Sequence, residues 1–323
     1  MRDGDGHGPV IPGDWLAGCV VASMAVVAAL MHAAGLWIDP AAPSVRPYYA
    51  CGALAIGLCV GLRRRATRAQ RIVRDVAESY ALFTLIALIG AVASYPQAAA
   101  SRGFVDPVLA RLDAAVGFDW VGWYRVVAAH PLLQTAGRAA YLSIYWTPAA
   151  ILGWFAWQGR QDRARAFLMS FWIAAAVTLA LFRAMPAVGP LAYLWHGAIP
   201  YMPDSALWQP ALIPPLRQHL VHVVDLGTLR GLVSVPSFHA AAAVLYVAAA
   251  WPVARLRWPV AAVNAAMLLA TPVEGTHYLV DLVAGMAVAA LALAAVRWLA
   301  VQAGERRQPR AATTHGAARI GEA

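Results

Sequence analysis

The chain has 323 residues, 61% of them hydrophobic and 13% charged, and its mean hydropathy of +0.59 excludes an ordinary soluble globule; the expected class is an all-α integral membrane protein. All 25 basic residues are arginine, which excludes chemistry that needs a lysine Schiff base or a phosphate-loop lysine. The net charge of +9 sits on arginines between apolar runs, where it signals topology, so a membrane and no nucleic acid is expected as partner.

Residues 1–14 form a tail carrying Arg2, Asp3, Asp5 and Asp14, without a small-residue cleavage site, so the apolar run after it is expected to stay as an anchor. A span needs about 20 apolar residues. Eight stretches are candidates: 15–37, 48–62, 76–95, 138–157, 167–185, 237–254, 258–274 and 277–300, the second and third being the weakest. Cys19, Cys51 and Cys59 all fall within the first two and show neither paired nor metal-ligand spacing, so no disulfide is implied.

Orientation follows from the arginines of alternate connections. The segments 63–74, 158–166 and 255–257, with Arg2 and the end from Arg297 onward, hold 17 of the 25, so both termini are expected in the cytoplasm of a multi-pass inner (plasma) membrane protein. The two long connections, 96–137 and 186–236, then lie outside. In the first, Leu109, Leu112, Val116, Trp120, Trp123 and Tyr124 fall near helical spacing, which suits a helix in the headgroup layer or an aromatic belt. The second is too rich in proline and aromatic residues for a span, and loops of this length are functional or disordered. Residues 301–323 read as a disordered basic tail. The chain thus divides into a tail (1–14), two N-terminal spans with a basic loop (15–75), a six-span core (76–300) and a second tail.

Chemistry concentrates at the outer ends of the last spans. His277 and Asp281 are four residues apart, one helical turn, so the two side chains can touch. An aspartate within a span costs about 2.5–3.5 kcal/mol unless it is paired or faces a wet cavity. In Ser234-Val-Pro-Ser-Phe-His239, Pro236 suits a first helical turn, Ser234 or Ser237 suits an N-cap, and the free N–H groups there form an anion site. His239 and His277 are separated by one span down, the short turn at Arg255 to Arg257, and one span back, so both reach the same outer surface. The fifth span delivers Arg183 and Pro186 to that surface, and arginine suits phosphate oxygens. The bland readings are an isolated interhelical polar contact at Asp281, an interfacial histidine at 239 and a snorkelling arginine at 183.

Pro236-Ser-Phe-His239 followed by His277-x-x-x-Asp281 resembles the second and third motifs of the type 2 phosphatidic-acid phosphatase superfamily. Gly231 to His239 and Gly275 to Gly285 look most like its inositol phosphorylceramide synthase-like branch. The resemblance implies a six-helix phosphatase-like core, an extracytoplasmic active site and a phosphohistidine intermediate, with no cofactor or metal. His277 would be the nucleophile, Asp281 its orienting partner and His239 the general acid, with Pro236 and Ser237 in the phosphate cradle. The first motif of the family begins with lysine, which is absent, and only Arg183 near Pro186 resembles any part of it. The third motif's Ser-Arg aligns with Ala270 and Thr271. The missing charge is expected from Arg183 first and Arg230 second.

The leading expectation is a membrane lipid phosphate phosphatase or phosphotransferase whose partner is the lipid phosphate substrate. Headgroup transfer of the inositol phosphorylceramide synthase type is the alternative acceptor chemistry. Outside that class stand a metalloenzyme using His239, His277 and Asp281 as ligands, a non-enzymatic transporter with Asp281 as its ion site, and an inactive homologue. His130, His196, His219 and His222 read as surface histidines. Glu274 and Asp225 lie on the same side without a motif, each a candidate contact for an acceptor hydroxyl or for Arg230.

Overall fold

The computed structural model describes residues 11–64 and 67–307; Arg2, Asp3, Asp5 and residues 308–323 of the expected tails lie outside the described residues. Among the described residues the regular structure is helical, as the hydropathy requires. Three helices precede the first long connection: α1 (Gly13–Ala33), α2 (Arg46–Gly61) and α3 (Arg68–Ala99). That connection contains α4 (Asp106–Ala115), α5 (Trp120–Ala129) and α6 (Pro131–Tyr141), and leads into α7 (Ser143–Trp157) and α8 (Gln161–Ala184). The second contains α9 (Pro190–Leu194) and α10 (Trp208–Arg217), and α11 (Phe238–Ala250), α12 (Arg257–Glu274) and α13 (Leu279–Arg307) complete the chain.

Four helices are long and apolar enough to cross a membrane: α1, α3, α8 and α13 over its first 25 residues. The other four expected spans coincide with shorter helices. The stretch 138–157 breaks after Tyr141 into α6 and α7, and α11 has 13 residues, a rise of about 20 Å at 1.5 Å per residue. Residues 301–307, expected in the disordered tail, instead continue α13 as far as Arg307.

The packing is built around α8, α11 and α13. Helix α3 runs along α8, α13 packs on α8 and α11, and α12 packs on α11 and α6, while α1 and α2 lie against α3. Aromatic layers fill the centre, with Phe83 and Phe171 ring centroids 4.7 Å apart and the Tyr246 hydroxyl donating to the Ile144 carbonyl at 3.0 Å. Alanines 240–243 of α11 are buried, the small residues that let helix backbones approach.

The connection 96–137 departs most from expectation. A single helix in the headgroup layer would expose Leu109, Trp120 and Tyr124 to lipid, but all three are buried against the protein, and only Leu112, Val116 and Trp123 of that set face outward. The reason is polar. The Trp120 indole N–H donates to the Pro272 carbonyl at 2.7 Å and the Tyr124 hydroxyl to the Tyr201 carbonyl at 2.6 Å, so these amphipathic rings pack over the C-terminal end of α12.

Candidate active site

Pro236 and Ser237 enter α11, and the Ser237 hydroxyl accepts from the Ala240 N–H at 3.4 Å as its N-cap. The Ser237 N–H is spent on another element, donating to the Asp281 carbonyl at 3.0 Å. One turn further along α13, Gly285 lies directly against the Ser237 carbonyl. The entrances to α11 and α13 are therefore joined backbone to backbone, which brings the Ser-Phe-His and His-x-x-x-Asp segments together.

His277 precedes α13, which begins at Leu279, so the histidine is presented from the link between α12 and α13 and not from a helical turn, as its spacing suggests. Thr276 takes φ +48° in that link, turning the chain so that His277 faces back onto Asp281. His277 Nδ1 lies 3.5 Å from Asp281 Oδ2, an ion-pair distance rather than a formed hydrogen bond, and the same Oδ2 accepts the Tyr278 N–H at 3.0 Å. Both residues are buried, 4% and 1% exposed, deep enough for the pairing to matter to whichever charge they carry. His239, half-buried in the first turn of α11, stacks on Tyr141 with centroids 4.0 Å apart and planes at 14°. A carbon added at Gly275 would meet His277 Cδ2 at 2.7 Å and Tyr141 Cε2 at 3.1 Å, so the Tyr141 ring borders both histidines. His239 Nε2, His277 Nδ1 and Asp281 Oδ1 are each buried without a hydrogen-bond partner.

The supports of this junction come from residues that carried no motif. Helix α4 presents two buried carboxylates seven residues apart. Asp113 accepts the Leu279 and Val280 N–H groups at 2.8 and 3.0 Å and so caps α13 from another helix; burial raises its pKa above the usual carboxylate value, and these two bonds oppose the rise. Asp106 accepts the Val188 and Gly189 N–H groups at 2.9 and 3.0 Å and the Tyr278 hydroxyl at 3.1 Å. The 186–190 loop is pinned again where the Ala187 N–H donates to Ser234 Oγ at 2.9 Å, the structural use of that serine. Gly189, at φ +90°, permits the approach of Thr276, whose carbonyl oxygen would stand 2.8 Å from an added carbon.

Glu274 is 1% exposed and accepts the Tyr201 hydroxyl at 2.7 Å and the Asp204 N–H at 3.1 Å, while Asp204 pairs with Arg138 at 3.0 Å. Burial, then the Glu274 bond, holds the Tyr201 hydroxyl well above the ordinary tyrosine range. Glu274 thus fastens the 201–205 strap over the link bearing His277. Asp225 is exposed and turns back on the Gly227 N–H and the Thr228 hydroxyl, and His130, His196, His219 and His222 are exposed.

The two arginines diverge. The Arg230 guanidinium lies 3.6 Å over the Trp208 ring, and the Arg230 backbone N–H donates to the Tyr95 hydroxyl at 3.2 Å. Arg183 is exposed at the end of α8 in a hollow shared with Ala100, Arg102, Ala180 and Ala184, none of them a residue of the histidine junction. Among the described residues no three His, Cys, Asp or Glu side chains are grouped to hold a metal ion, so the ligand-set reading of His239, His277 and Asp281 gains no geometric support.

A family model described as the PAP2 superfamily matches residues 107–295, which takes in both motifs, the first long connection from residue 107 onward, all of the second, and helices α5 to α12. No curated protein and no solved structure matches the chain.

Proposed function

Because the chain belongs to the PAP2 superfamily, a family of phosphatases, we propose that it is a membrane-embedded phosphoryl-transfer enzyme acting on lipid phosphates through a phosphohistidine at His277. The observation that carries this reading is the junction itself: a buried His277–Asp281 pair at 3.5 Å, tied to the Ser237 cap by the 3.0 Å bond to the Asp281 carbonyl. With Nδ1 turned to the carboxylate, Nε2 is the ring atom left to present a lone pair, and the carboxylate stabilises the cation that forms when it attacks.

In the first step His277 Nε2 forms a bond to phosphorus, the phosphorus–oxygen bond to the lipid breaks, and His239 gives its proton to the departing alkoxide. Stacking on Tyr141 holds the His239 ring, and its buried, unpartnered Nε2 is the atom available to carry that proton. In the second step water attacks phosphorus, neutral His239 takes its proton, the nitrogen–phosphorus bond breaks, and inorganic phosphate leaves. Ser237, Pro236 and the first N–H groups of α11 would cradle the equatorial oxygens. Arg230 would supply the charge that the absent lysine and third-motif arginine do not.

In the membrane we place the site on the extracytoplasmic face, with both termini in the cytoplasm and the shorter helices completing eight crossings. An alcohol in place of water gives headgroup transfer, the inositol phosphorylceramide synthase-type alternative, with the same covalent step. The experiment supplies lipid phosphate to purified protein and compares inorganic phosphate release with incorporation of a labelled polyol. Phosphate release in the absence of any alcohol is expected; product that appears only with the polyol would make the enzyme a transferase, and no turnover of either kind would refute the proposal.

A further inference from the structure

Helices α3 and α8 pack side by side and end on the same side of the molecule. Between their ends opens a hollow of about 330 Å³ lined by Ala100, Arg102, Ala180, Arg183 and Ala184. We propose that this hollow is a second anion site, which holds the phosphate of a membrane lipid between Arg102 and Arg183, apart from the histidine junction. Both arginines are exposed, and among the described residues neither takes part in an ion pair. No carboxylate lines the hollow. The acid nearest to Arg102 along the chain, Asp106, is committed to Val188, Gly189 and Tyr278. Two arginines that line one hollow with no acid among its lining repel each other, and a phosphate between them would remove that repulsion while matching the planar donor forks of both.

The surroundings favour a lipid as its carrier. Below Arg183, Ala176, Ala180 and Ala184 are exposed one turn apart on one face of α8, itself long and apolar enough to span a bilayer. With α8 across the bilayer, these three small side chains would leave room beside the helix for an acyl chain that ends at the two cations. From Arg183 the chain needs only four residues to reach Ala187, whose N–H is bonded to Ser234 at the entrance to the phosphate cradle. A lipid held here waits one loop away from His277. That the lipid is also the substrate rests on the phosphatase reading; the binding does not.

The test therefore measures binding without turnover, on full-length protein carrying His277→Ala in zwitterionic detergent, with dioctanoyl phosphatidate and inorganic phosphate as separate probes. Adding Arg102→Gln and Arg183→Gln together should weaken phosphatidate binding at least tenfold, and the paired lysine substitutions, which restore the charge without the planar fork, should recover only part of it. Unchanged phosphatidate affinity overturns the proposal, and so does a loss confined to inorganic phosphate. In protein with His277 intact, the glutamine pair should raise KM for the lipid phosphate while leaving kcat/KM for a water-soluble aryl phosphate unchanged. Equal losses on both substrates overturn the separation of the two sites. If protein with His277 intact turns over neither substrate yet binding still depends on the arginines, the phosphatase reading falls and the anion site stands.

Discussion

Gly285→Ala adds one carbon at the point where α11 and α13 meet. That carbon would overlap the Ser237 carbonyl oxygen and stand 3.1 Å from both the Ser237 carbonyl carbon and Ala240 Cβ. The obstacle is backbone and cannot rotate aside, so the two helices must separate or tilt. One turn away is the 3.0 Å Ser237 to Asp281 bond that registers the two segments. Overpacking of this kind costs about 1–3 kcal/mol of stability, and displacing catalytic groups by about 1 Å costs on the order of 10²-fold in rate. Gly90→Ala in α3 and Gly153→Ala in α7 are the controls, because an added carbon at either meets nothing within 4 Å, and Ala in a helix interior is favoured by about 0.5–1 kcal/mol. Steady-state phosphate release from purified variants, with thermal unfolding in the same detergent, separates the effects. The expected result is a loss near 10²-fold in kcat for Gly285→Ala at a temperature where the protein remains folded, and wild-type rates for both controls. Wild-type turnover by Gly285→Ala would show that close contact of α11 and α13 does not set the catalytic geometry.

Replacing His239 by alanine should lower kcat by about 10²–10⁴-fold, the usual worth of a general acid, and His277→Ala and Asp281→Asn should also lose turnover while unfolding at the wild-type temperature. His130→Ala, at an exposed ring bonded only to the Val126 carbonyl, should leave the rate unchanged, and equal losses at all four would dissolve the assigned roles. Asp113→Ala strands the Leu279 and Val280 N–H groups and should destabilise the start of α13 by about 1–3 kcal/mol, read as faster amide exchange over residues 277–281. Glu274→Ala removes the acceptors of both the Tyr201 hydroxyl and the Asp204 N–H, so the 201–205 strap should become more susceptible to proteolysis, with protection at the wild-type level as the contrary result. Trp120→Phe loses the bond to the Pro272 carbonyl, about 1 kcal/mol, and should lower the melting temperature without changing KM.

The candidate trio of His239, His277 and Asp281 was legible because one antiparallel helical pair returns the chain to the face it left, which is local physics; the helical turn expected to carry His277 was not, since the histidine lies in the link before α13. The helical class was legible from local physics as well, through the length of the apolar runs. The supports were not. Asp113 meets Leu279 across 166 residues and Asp106 meets Tyr278 across 172, and nothing in a short amphipathic stretch marks which of its acids will turn inward. Asp106 and Asp113 do stand seven residues apart, two helical turns, on the side of α4 that also carries the buried Leu109; that pattern was the available signal. Trp120 and Tyr124 misled because an amphipathic ring suits a membrane surface and a buried polar seam equally well. Arg183 satisfied the chemical requirement for a phosphate ligand, but sequence gives residue type and helix end, not the direction in which an exposed side chain leaves its helix. The capping at Ser237 was readable, whereas the use of its N–H on the Asp281 carbonyl belongs to the packing of α11 on α13.

The central claim is that phosphorus becomes bonded to His277 during turnover. Protein incubated with a lipid bearing labelled phosphate and quenched in alkali should retain label that is stable in base, released by acid, mapped to the peptide containing His277, and missing from the His277→Ala variant. Turnover at the full rate with no protein-bound label, or label that persists when His277 is replaced, would contradict it.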